Sequence, residues 1–376
     1  MKLSDISTPA ALLDIDRMQH NITRMQSRMT NLGVRFRPHV KTSKCIEVAQ
    51  AQIRAGAHGI TVSTIKEAEQ FFLAGITDIL YAVGITANKF TQARVLLQKG
   101  CDLKVLTDSV QSAAAISAFA VANDIHFKVM IEIDTDDHRS GIKPDSPQLL
   151  EVAQALAAGG TELVGVMTHA GSSYDLNTPE SLIQMAEQER SGCVLAAQRL
   201  RDAGFTCPVV SVGSTPTALS AQSLEGVTEA RAGVYVFFDL VMYNIGVCEI
   251  DDMALSVLTT VIGHQQEKGW VIVDAGWMAM SRDRGTQKQT VDFGYGQVCD
   301  LAGKPLTGYF MTGANQEHGI ISKRSEPDLS IANHFPVGTP LRILPNHACA
   351  TAAQFPEYQA LTSQQNIQVW PRFYGW

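Results

Sequence analysis

Short apolar runs alternate with longer amphipathic stretches through the first 245 residues. The runs fall near 34–40 (VRFRPHV), 58–63 (HGITVS), 78–83 (DILYAV), 102–107 (DLKVLT), 127–134 (FKVMIEID), 162–169 (ELVGVMTH), 208–213 (PVVSVG) and 229–236 (EARAGVYV). Each is rich in Val, Ile or Leu and short enough for a buried strand. The stretches between them carry helix signals. Residues 64–75 open on Thr64 as an N-cap and close on Gly75, residues 108–122 open on Asp108, and residues 179–203 start with Pro179 and stop before Gly204. A further helix over 16–31 precedes the first of these strands.

Eight strand–helix units in sequence predict an α/β fold, a (β/α)8 TIM barrel. Beyond about residue 250 the texture changes. LSVLTTVIGH (255–264), GWVIVDAG (269–276), LRILP (341–345) and NIQVW (366–370) read as strands separated by Gly and Pro clusters, with few helix signals. The domain expectation is a barrel over 10–248 and a mostly β domain over 249–376, to which residues 1–9 add a strand.

Composition narrows the functions available. The 376 residues are 45% hydrophobic and 18% charged, enough to build a sizeable core. A net charge of −7 without like-charge runs argues against nucleic acid and against a polybasic membrane surface. No apolar signal core follows Lys2 and no run of eighteen apolar residues occurs. The seven cysteines are scattered, odd in number and without a C-x-x-C pair, which argues against a disulfide framework. A cytoplasmic protein that handles a small molecule is expected. P-loop, dinucleotide-binding, H-E-x-x-H and G-x-S-x-G motifs are all missing from the sequence.

Active sites of (β/α)8 barrels lie at the C-terminal ends of the strands. There the chain carries His39-Val40-Lys41, Arg139, Thr168-His169, Gly213-Ser214-Thr215, and Gly233 with Tyr235. If the first strand runs through Lys41, alternation puts Arg37, His39 and Lys41 on one side. An enclosed lysine loses hydration and becomes available as a nucleophile or base; a solvated lysine at a strand end is the plain alternative. Gly213-Ser214-Thr215-Pro216, between a strand and a helix, suits an anion such as phosphate, or a simple capped turn. His347 and Cys349 would point the same way on a strand and could share a metal ion; a buried cysteine beside a hydrogen-bonded histidine is the alternative. Gln316-Glu317-His318 could line the site or be a surface turn. In the acidic segment 134–139, Arg139 reads as an anion contact.

Together these motifs resemble the fold-type III pyridoxal-phosphate enzymes of the D-serine dehydratase and D-threonine aldolase group, whose barrel is of the alanine racemase type. Arg37-Pro38-His39-Val40-Lys41-Thr42-Ser43-Lys44 resembles the group's R-P-H-x-K-[TA]-x-K signature. The segments Asp134–Gly141, Thr168–Tyr174, Gly213–Thr215, Arg231–Tyr235, Asn315–Gly319 and Pro345–Cys349 resemble further family motifs, so the likeness spans most of the chain. The resemblance implies that Lys41 carries pyridoxal 5′-phosphate as a Schiff base. It implies that Arg139 meets the cofactor's phenolic oxygen, and that His39, His169 and Tyr174 lie at its ring. Gly213, Ser214, Thr215, Gly233 and Tyr235 would hold its phosphate. His347 and Cys349 would hold a divalent metal, zinc by ligand type, with manganese or magnesium as alternatives. H-x-C favours a dehydratase over the aldolases, which show H-x-D. The expected reaction converts a D-3-hydroxy amino acid into a 2-oxo acid and ammonia, in a homodimer. Retro-aldol cleavage to glycine and an aldehyde, racemisation, and non-catalytic cofactor carriage are the other readings.

Overall fold

A computed structural model describes residues 3–362, 364 and 366–376. They form two compact units. One spans Thr23–Gly233 with Tyr374–Trp376; the other takes the chain up to Ile22 and from Val234 to Phe373.

Strand β1 (Ala10–Asp14) and helix α1 (Ile15–Asn31) open the chain. The barrel strands follow: β2 (Arg35–Pro38), β3 (Ile60–Val62), β4 (Asp78–Gly84), β5 (Asp102–Thr107), β6 (Phe127–Ile133), β7 (Thr161–Thr168), β8 (Val209–Val212) and β9 (Glu229–Ala232). All eight are parallel, in the order β2-β9-β8-β7-β6-β5-β4-β3. The remaining seam is joined by a bridge between His39 and Thr61, where the Val40 N–H donates to the Thr61 carbonyl at 2.9 Å. Strands of a parallel barrel are covered on both faces, which is why they read as continuous apolar runs. Leu80, Leu106, Met130, Val164 and Met167, from four adjacent strands, fill the interior. At the N-terminal ends of the strands a chain of ion pairs closes the barrel. Arg37 meets Glu229 and Asp78 at 2.7 Å each, Lys104 meets Asp78 and Asp102 at 2.7 Å, and Lys128 meets Asp102 at 2.8 Å.

The helices are α2 (Ile46–Arg54), α3 (Ile65–Leu73), α4 (Ala87–Gln98), α5 (Val110–Ala122), α6 (Gln148–Leu156), α7 (Pro179–Asp202) and α8 (Thr215–Ser220). Thr64 caps α3 as expected, its side chain accepting from the Glu67 N–H. The cap of α5 is Ser109 rather than Asp108, because Ser109 holds the extended backbone that lets its hydroxyl accept from Ser112. Two barrel strands end at least two residues before the apolar pattern predicts. β2 stops at Pro38 and Lys41 lies in the turn beyond it, whereas β9 stops at Ala232 and Val234–Val236 forms a 3-10 turn. Tyr235, expected beside Gly233 at the barrel, lies on that turn, fully buried, within the second compact unit.

The second unit is built on a nine-stranded sheet of order β11-β14-β13-β12-β15-β10-β1-β16-β17. Its later strands are β10 (Leu255–Gln265), β11 (Trp270–Val273), β12 (Gln297–Cys299), β13 (Pro305–Ala314), β14 (Gly319–Lys323), β15 (Pro340–Leu344), β16 (Glu357–Leu361) and β17 (Ile367–Pro371). β1 lies between β10, antiparallel, and β16, parallel, so the N-terminal segment does contribute a strand to the β sheet. Four short helices accompany it: α9 (Leu240–Ile245), α10 (Trp277–Met280), α11 (Ile331–His334) and α12 (Ala348–Ala352). Among the described residues no helix is long and apolar enough to cross a membrane.

Candidate active site

Backbone contacts hold the turn after β2. The His39 N–H donates to Ala232 O at 2.8 Å, and the Lys44 N–H closes the turn on Val40 O at 2.9 Å. Gly233 lets this turn lie close: a Cβ there would meet His39 O at 3.2 Å and His39 Cβ at 3.3 Å. The two lysines of the turn have different fates. Lys44 takes a left-handed backbone (φ 43°) and pairs with the buried Glu67 carboxylate at 3.1 Å. Lys41 is exposed, and its ammonium has no hydrogen-bond or ion-pair partner among the described residues. The enclosed lysine expected from the sequence is therefore an open one at the barrel mouth.

Around it stand two imidazoles and two guanidiniums. His169 and Gly213 O are 3.1 Å apart through Nδ1. A carbonyl only accepts, so the ring donates from Nδ1 and its Nε2 remains an acceptor when neutral. The Tyr174 ring lies 6.1 Å from the His169 ring, tilted by 50°. Burial, then the neighbouring charge of Lys41, lowers the His169 pKa to about 3. Burial and the charges of Lys41 and Arg231 likewise hold His39 well below its ordinary value. Arg139 is exposed, with Glu132 3.7 Å away. Arg231, absent from the candidate residues drawn from the sequence, is buried; its Nε donates to Ser211 Oγ at 2.9 Å and its guanidinium to Thr168 O. Neutral imidazoles among cations make this mouth suited to an anionic ligand.

The same histidines set an acid limit on stability. Unfolded, both rings take up protons as pH falls through about 6.5; folded, His169 resists until about 3. The unfolded state therefore binds more protons in that window, and stability falls as pH drops. The melting temperature is expected to decline from pH 6.5 to pH 4, less steeply in His169→Gln, as scanning calorimetry across buffers would read.

Gly213 sits at φ +134°, and a Cβ there would lie 2.1 Å from Arg231 O. Only glycine fits. Its N–H and that of Ala170 both donate to Glu189 Oε1, at 3.1 Å and 2.8 Å. Glu189, on α7 and 1% exposed, thus ties the loops after β7 and β8 together, a role no sequence motif signals. Ser214 caps α8 in a capping box with Thr217, and its hydroxyl also meets Ser173 Oγ at 2.8 Å. That hydroxyl is engaged within the loop, and Thr215 is fully buried. Gly213→Ala is expected to cost about 3 kcal/mol of folding stability through strain and overpacking, measurable by urea denaturation.

In the second unit, His347 and Cys349 do not lie on a strand. β15 ends at Leu344 and Pro345 prevents its continuation. His347 is the extended N-cap of α12, and Cys349 lies in that helix's first turn. The pair still lies together at the start of one helix, near enough that the Cys349 sulfur favours the charged form of the His347 ring. Asp283 Oδ2 lies 2.6 Å from His347 Nδ1. Burial opposes charge on this imidazole, but the Cys349 sulfur and the Asp283 carboxylate outweigh it and push its pKa up to about 11. A divalent cation would take the place of that proton, and both side chains remain part-exposed. Asn315–His318 is an exposed hairpin turn between β13 and β14.

Residues 13–241 match the family described as alanine racemase, N-terminal domain, and residues 254–361 the one described as putative serine dehydratase domain. The D-threo-3-hydroxyaspartate dehydratase of Delftia sp. (strain HT23) is 63% identical over 376 residues, covering 100% of this chain and 99% of that enzyme. Its solved structure superposes with a TM-score of 0.99 over 100% of both chains; a cysteine-to-alanine variant of it, described as being in the metal-free form, gives the same score. The D-serine dehydratase of Dictyostelium discoideum is 29% identical over 97% of this chain and 96% of its own. The D-threonine aldolase of Arthrobacter sp. is 28% identical over 93% of this chain and 87% of its own. The chain belongs to the alanine racemase N-terminal domain family, among those members that also carry the serine dehydratase domain.

Proposed function

We propose that this chain is a pyridoxal-phosphate- and divalent-metal-dependent dehydratase. Its substrate would be D-threo-3-hydroxyaspartate or a similar D-3-hydroxy amino acid, and its products a 2-oxo acid and ammonia. The observation that carries the reaction type is the placement of His347 and Cys349 together at the start of α12, with Asp283 on His347 Nδ1, an imidazole–thiolate pair of the kind that holds zinc. The relative solved as a metal-free cysteine-to-alanine variant supports the same reading.

The barrel residues fit the cofactor. An unpartnered amine is open at the mouth, cations suited to an anion surround it, and a glycine stands where a Cβ cannot. When bound, pyridoxal phosphate would supply the electron sink that makes the Cα proton acidic, and the metal would polarise the β-hydroxyl. Lys41 would hold the cofactor and then, released by the incoming amino group, take the Cα proton. Arg139 would meet the cofactor's phenolic oxygen. His169, fixed by Gly213 O, and His39 would offer uncharged ring nitrogens at neutral pH, with Tyr174 beside His169. The loops at Gly213–Thr215 and Gly233 would receive the phosphate. Tyr235, on the 3-10 turn that follows Gly233, would join them there. Overall the substrate loses its α-proton and β-hydroxyl as water, and one water returns to release ammonia.

A homodimer and a cytoplasmic setting belong to the same proposal; free cysteines throughout the chain suit a reducing compartment. Retro-aldol cleavage is the second reading, favoured by the aldolase relative. A panel of D-serine, D-threonine and both D-3-hydroxyaspartate diastereomers, assayed for ammonia, tests the substrate. The threo diastereomer should react fastest; no ammonia from any of the four would refute the dehydratase.

A further inference from the structure

We infer that Asp283 is a positioning residue for the metal pair: it fixes the tautomer and direction of His347 so that Nε2 faces the ion. The inference rests on the proposed metal role of His347 and Cys349. Asp283 is 64 positions from its partner and sits in the loop after α10. Its Oδ2 meets His347 Nδ1 at 2.6 Å, so the carboxylate accepts and Nδ1 carries the proton. Nε2 is then the nitrogen left for a ligand bond. Metal-bound histidines are commonly oriented this way, the carboxylate both aiming the ring and raising its basicity.

Three further contacts make Asp283 a fixed anchor instead of a mobile surface acid. Its Oδ1 accepts the Gly285 N–H at 2.8 Å, the Ser281 hydroxyl accepts the Asp283 N–H at 3.1 Å, and the Asp283 carbonyl accepts from Asn346 Nδ2 at 3.2 Å. Asn346 directly precedes His347, so the carboxylate and the ring it orients are joined through backbone as well as side chain. A second acid completes the frame. Asp239, 1% exposed, accepts the Met242 N–H at 3.0 Å and the Ala348 N–H at 2.8 Å. It thereby grips the residue between the two ligands.

The test is zinc affinity, measured on holoenzyme stripped of metal, by competition with a chromophoric chelator. Wild type, Asp283→Asn and Cys349→Ala are compared, with the visible cofactor absorbance and melting temperature recorded for each. Cys349→Ala should lose stoichiometric zinc. Asp283→Asn should bind one zinc about tenfold to a hundredfold more weakly, with cofactor absorbance retained. Asp283→Glu, which restores the carboxylate, should recover part of the loss. Wild-type affinity in Asp283→Asn, alongside lost zinc in Cys349→Ala, would overturn the positioning role and leave the metal pair standing. Wild-type zinc binding in Cys349→Ala would overturn the metal pair itself, and the inference with it.

Discussion

Lys41→Ala should abolish the visible absorbance of the lysine-bound cofactor and reduce turnover by about 10⁴-fold, the upper range for a positioned acid–base group. The expectation follows from the contrast inside one turn. Lys44 is committed to Glu67, which is 1% exposed at its side chain and also takes the Ser63 hydroxyl at 2.8 Å. Lys41 has no such partner, stands in the open, and shares its field with the His39 and His169 rings. The companion variant separates chemistry from folding. Lys44→Ala leaves a buried carboxylate without its cation and should cost about 3 kcal/mol of stability, while the chromophore survives. A chromophore that persists in Lys41→Ala and vanishes in Lys44→Ala would reverse the assignment.

Removing the metal should be nearly as severe and should look different. Chelation, or Cys349→Ala, is expected to lower turnover by about 10³-fold, corresponding to several kcal/mol of Lewis-acid assistance. Cofactor absorbance should remain, because the residues proposed to hold the cofactor lie in the barrel unit and the ligand pair in the other. Zinc should restore activity to the chelated wild type and fail to restore it in the variant. Full turnover by a protein shown to be metal-free would remove His347 and Cys349 from the reaction.

The barrel was legible because two-sided burial in a parallel sheet leaves an unbroken apolar signature; β6 is buried at six of its seven positions. Strand ends were less legible. Pro38 and Gly233 end β2 and β9 early, so alternation could not be extended from Arg37 to Lys41, and Lys41 came out exposed. His347 and Cys349 were visible as a pair, but Pro345 turns the chain and places them at a helix start. Spacing alone suggested a strand with the same outcome, the two residues together, for a different geometric reason. Contacts distant along the chain left no pattern. Glu189 is one acid among many on α7 until its carboxylate is found between Ala170 and Gly213. Asp283 similarly gains meaning only beside His347. The family motifs pointed to the chemistry proposed for the site, while the fold showed which residues hold its loops in place.

The bond broken is decided by the products formed from D-threo-3-hydroxyaspartate in a single incubation with the metal-loaded holoenzyme. Quantified by mass spectrometry, oxaloacetate and ammonia should appear in equal amounts with no glycine. Glycine and glyoxylate in equal amounts, without ammonia, would contradict the account.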